Sequence, residues 1–120
     1  MKDKYENLFY LSELKNSVMN DNEFLATMLE TFVETNIASL SNMKIFIVEE
    51  KWIAVGEVAH KMLSSYKHLQ IVELIPVLQK LELLICKEFP IAEILQAHLH
   101  VEKISMIIFE QLRDILKTLY

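Results

Sequence analysis

Residues 22–49 read NEFLATMLETFVETNIASLSNMKIFIVE, and their spacing decides the fold class. Leu25, Met28, Leu29, Phe32, Val33, Leu40, Met43 and Ile47 recur at steps of three and four. A helix repeats every ~3.6 residues, so these steps stack on one face, whereas a half-buried strand alternates with period two. Asn20, Asp21 and Asn22 stand just ahead, with side-chain oxygens suited to capping free N–H groups of a first turn. The spacing therefore predicts one long amphipathic helix over about 22–49, with a bend near Asn36.

The same pattern extends outward. Upstream, Leu11 to Val18 can form a short helix with Leu11, Leu14 and Val18 on one side, after a polar lead-in over residues 1–10. Downstream, Glu49, Glu50 and Lys51 interrupt the periodicity. Trp52, Val55, Ala59 and Met62 then begin a third helix, predicted to end near Lys67 or His68. A fourth is predicted over roughly 73–87, carrying Val77, Leu78, Leu81, Leu84 and Ile85. Pro76 is acceptable in its first turn, where N–H groups have no helical partner. Pro90 marks the start of a fifth stripe, from Ile94 through Leu119, with a break placed between Leu99 and Glu102. Short connections make neighbouring helices antiparallel. The expectation is an all-α fold over residues 1–120: a four-helix up-and-down bundle with a short extra N-terminal helix.

Composition agrees with that reading. The chain has one Gly and two Pro in 120 residues, too few for the tight turns of a sheet protein of this size. Hydrophobic residues make up 52%, enough for a core without metal or disulfide. A net charge of -5 argues against nucleic acid, which is bound by clustered Lys and Arg. Apolar runs are broken well before the ~20 residues of a membrane span. The N-terminus carries scattered charges and no apolar core of a signal peptide. Cys86, the single cysteine, cannot form an internal disulfide and is expected to pack in the core. The expectation is a soluble, monomeric protein of the cytoplasm without membrane insertion.

Residues 58–67 read VAHKMLSSYK and carry the chemistry. On a helix, the face of His60 holds Gly56, Glu57, Leu63, Ser64 and Lys67, while Ala59, Met62, Tyr66 and Leu69 lie on the core flank. His60 is thus expected to point into solvent. A neutral imidazole is a competent nucleophile near neutral pH. Gly56 costs about 1 kcal/mol in a helix interior relative to Ala. Its smallness could admit a partner's backbone beside the imidazole, or could serve a close helix crossing within the fold. Ser64 is also small, and Lys67, with Lys61 at the flank, could attract a phosphate; lysines at such positions are otherwise solvated charges. Other candidates read as ordinary. His98 and His100 are two apart and face different sides, whereas a zinc pair sits at i and i+4. His68 near a helix end suits the dipole. No Gly-rich phosphate loop is present, so ATP binding is unsupported.

Ala59, His60, Met62 and Ser65, with Leu81-Glu82 downstream and Phe24-Leu25, Met28-Leu29, Phe32 and Trp52 upstream, make the chain resemble histidine-containing phosphotransfer domains of bacterial two-component phosphorelays. The resemblance covers roughly residues 10 to 118. It departs where the family's usual Lys is Leu63 and its usual Gly is Ser64. It implies that His60 accepts a phosphoryl group from an aspartyl phosphate of a receiver domain and passes it to another receiver. Gly56, Lys61, Leu63, Ser64 and Lys67 would contact the phosphoryl group or the receiver. Receivers supply Mg²⁺ in that family, so neither metal site nor cofactor is implied here. The chain would be a phosphocarrier, not an enzyme in its own right. The alternative reading is a helical module that docks a receiver without phosphotransfer.

Overall fold

A computed structural model describes residues 7–119, and among them all regular structure is helical. The elements are α1 (Ser12–Ser17), α2 (Asn22–Val48), α3 (Trp52–His68), α4 (Ile75–Glu82), a 3-10 turn (Leu83–Ile85) and α5 (Ile91–Leu119). The fold is an all-α helical bundle with a short extra helix at its N-terminal side. No helix of the described residues is long and apolar enough to cross a membrane.

Local chemistry sets the ends. Asp21 caps α2, its carboxylate accepting from the Phe24 N–H at 3.1 Å. Pro76 lies in the first turn of α4, as its missing N–H allows. Glu50 and Gln70, just beyond α2 and α3, adopt left-handed backbone conformations with φ of 57° and 52°. Glycine is the usual residue for such a position, because a Cβ disfavours it.

Several boundaries differ from the sequence expectation. The helix α2 passes through Asn36 without interruption. Asn36 is buried, and its amide donates to the Phe32 carbonyl one turn back (2.9 Å) and to the Ser65 hydroxyl of α3 (3.2 Å). A polar residue satisfied in this way does not break the helix. No break occurs between Leu99 and Glu102 either. The fourth helix is shorter than 73–87: it ends at Glu82 and tightens into the 3-10 turn. That change rotates Cys86 into solvent, so it is exposed and not a core residue. Residues 1–6 of the expected lead-in lie outside the described residues. Residues 7–10 are more than a polar lead-in, since Leu8 is buried and the Tyr10 N–H donates to the Leu69 carbonyl at 2.8 Å.

From α2 to α5 successive helices pack against each other, and α5 packs against α2, which closes a ring of four. Paired residues give the directions. Phe32 meets Tyr66 while Asn36 meets Ser65. Lys80 pairs with Glu93 at 3.2 Å, while Glu73 approaches His100 at 3.8 Å. In each case one index rises as the other falls, so the neighbours are antiparallel. At the centre Phe32 contacts Tyr66 and Phe109, with ring centroids 5.3 and 6.0 Å apart. The Tyr66 hydroxyl shares a 2.6 Å hydrogen bond with Ser105 across the ring. Burial pushes the Tyr66 phenol well above its ordinary range, against the opposing effect of that hydrogen bond.

Candidate functional site

The inward stripe of α3 is Val55, Ala59, Met62 and Tyr66, all buried. That stripe fixes the rotation of the helix and leaves His60 outside. His60 stands in the middle of α3 with its side chain 70% exposed. It lies in an open groove between α3, the end of α4 and α1, lined also by Glu13, Leu63, Ser64, Lys67, His68 and Glu82.

The geometry around the imidazole is asymmetric. Glu82 Oε2 lies 3.3 Å from His60 Nδ1. The approach lacks hydrogen-bond alignment, so this solvent-shielded oxygen has no hydrogen-bond partner. A carboxylate facing Nδ1 favours the tautomer with its proton there and leaves the lone pair on Nε2. The remaining groove is mixed in charge. Lys67 and His68, in the last turn of α3, bring cationic or titratable groups. Glu13 from α1 brings a second carboxylate.

Of the residues singled out in the sequence, His60, Ser64 and Lys67 come together in the groove. Lys61 is exposed but does not line it. Leu63, expected on the accessible face, is buried, and so is Gly56, as the helix-crossing alternative for it requires. Leu63 is 7% exposed and forms part of the groove wall. Gly56 is a packing glycine: a Cβ there would lie 2.8 Å from Ile85 Cγ1, 2.9 Å from the Ile85 nitrogen and 3.0 Å from the Glu82 carbonyl oxygen. No partner backbone can use it. Its role is to let the end of α4 approach α3, and that approach brings Glu82 to His60.

Glu82, Glu13 and His68 are groove residues that the spacing around His60 did not reveal. Glu82 belongs to the Leu81-Glu82 pair quoted for the family resemblance, which carried the only signal for it. Among the described residues no group of three or more His, Cys, Asp or Glu side chains is arranged to hold a metal ion. No family model matches this chain, and comparisons with curated proteins and with solved structures find no match.

Proposed function

We propose that this protein is a histidine phosphocarrier, with receiver domains of the cytoplasm as donor and acceptor. The observation that carries the reading is a solvent-facing imidazole at mid-helix that lines an open groove and whose Nδ1 faces a carboxylate. The Nε2 lone pair attacks the phosphorus of an aspartyl phosphate. The N–P bond forms, the acyl O–P bond breaks, and the aspartate carboxylate leaves. The ring then carries positive charge, which Glu82 offsets from the Nδ1 side while Nδ1 keeps its proton. Lys67 supplies the counter-charge to the phosphoryl oxygens in place of the family's usual Lys, whose position Leu63 occupies. Return transfer reverses these steps on a second receiver, with little covalent chemistry left to other side chains.

The test is incubation of the full chain with phosphorylated receivers from a single genome. The expected product is an acid-labile phosphoryl group mapped to His60, absent from His60→Gln. The groove also holds Glu13 and Glu82, whose charges oppose a phosphoryl dianion, and this favours the second reading of a docking module. Binding of a receiver with no label at His60 would select that reading and overturn the first.

A further inference from the structure

A second histidine lies on the other side of the bundle. His98 falls within the inward stripe of α5, between Ile94 and Val101. Only 4% of the residue is exposed. Both ring nitrogens are shielded from solvent and neither has a hydrogen-bond partner. Its Nε2 lies 3.8 Å from Glu102 Oε2, one turn along the same helix and too far for a hydrogen bond. The charges acting on it are Glu102 on α5 and Lys44 on α2. Glu102 and Lys44 also line the groove between these helices, with Lys103. On α4, which packs against α5 as well, Lys80 is turned to Glu93, and Glu73, in the turn before α4, is turned to His100.

A neutral imidazole has one donor and one acceptor, and the protonated ring has two donors. This ring can be tolerated neutral in an apolar layer, but a charge there would be desolvated and without a bonded partner. We propose that His98 makes the contact between α2 and α5 acid-sensitive, because the buried ring cannot accept a proton without leaving its packing. Burial holds its pKa below the ordinary histidine value of 6.5, with Lys44 adding to the effect and Glu102 opposing it. The sign follows. Below the unfolded-state value near 6.5, the unfolded chain binds a proton that the native chain refuses. Stability is therefore full above that value and falls as pH drops toward the lowered native pKa. This inference does not depend on any role of His60.

The experiment is urea unfolding of the full chain between about pH 7.5 and about pH 5, for the wild type and His98→Leu. The ratio of their folding equilibrium constants should fall with acid, by up to about tenfold per pH unit for one proton. A ratio that stays constant across the range overturns the proposal. Should the Leu variant fail to fold, the His98 ring of the wild type is titrated by NMR. A midpoint below 6.5 supports the proposal, and one at or above it overturns it.

Discussion

His60 and His98 each stand near a glutamate, at 3.3 and 3.8 Å, yet their surroundings differ. The His60 side chain is 70% exposed and that of His98 is 5% exposed. At His60, water can solvate a charged ring or a ring-bound phosphoryl group, and Glu82 approaches from another helix to bias one nitrogen. At His98, water is excluded and Glu102 lies on the same helix without a hydrogen bond to the ring, so burial favours the neutral form. In the proposed reading, the same pair of residue types has a chemical role on the open side and a packing role on the closed side. Solvent access decides which, since an unpaired charge is costly only where it is desolvated.

The strongest way to break this contrast is at the core both sides share. Phe32 contacts Tyr66 of α3 and Phe109 of α5. Phe32→Ala should cost about 3–5 kcal/mol in denaturant unfolding, and a near-neutral result would mean that the two sides do not depend on one core. Next comes Gly56→Ala. In an ordinary helix this change stabilises by about 1 kcal/mol. Here the added methyl meets backbone atoms of Ile85 and Glu82 at 2.9 and 3.0 Å, so overpacking should win, with a net loss of about 1–3 kcal/mol. A gain in stability would show that the end of α4 can shift freely, and that Glu82 is not held against His60. Lys67→Ala acts on the open side alone. A contact between opposite charges at a surface is worth about 1 kcal/mol in water, so phospho-His60 should fall roughly fivefold at steady state, and less at high salt. An unchanged level at low salt would reduce Lys67 to a solvated charge. Smallest of all, His60→Gln should move stability by no more than about 0.5 kcal/mol, as at most surface sites. A larger loss would place His60 among the packing residues, beside His98.

The long helices were readable because burial follows period. The spacing assigned Ala59, Met62, Tyr66 and Leu69 to the core, and each is buried. The same rule mistook Leu63, and for Gly56 it left open the choice between an accessible face and a helix crossing, which the structure decides for the crossing. A helical wheel gives the face of one helix but does not say which other element covers that face. Gly56 is covered by the 3-10 turn beyond α4, and Leu63 borders a groove that α1 helps to close. Cys86 was misplaced because nothing in its immediate sequence signals the change from α to 3-10 geometry after Glu82. Glu82 itself lies 22 positions beyond His60 by residue number, out of reach of any local spacing rule. His98 was within reach: Ile94, His98, Val101, Ser105 and Ile108 follow the steps of an inward stripe, and all are buried. A test for a metal pair looks at its distance from His100 and does not register this stripe.

Glu50 and Gln70 close α2 and α3 in backbone conformations that favour glycine, while the one glycine of the chain sits at a helix crossing. The interior and the turns of this protein therefore have opposite tolerances to the same exchange. At position 56 no larger residue fits, whereas at positions 50 and 70 a smaller one would relieve a steric conflict. Neither Glu50 nor Gln70 lines the His60 groove. They offer a route to a hardier bundle that leaves the imidazole and its carboxylate neighbour in place.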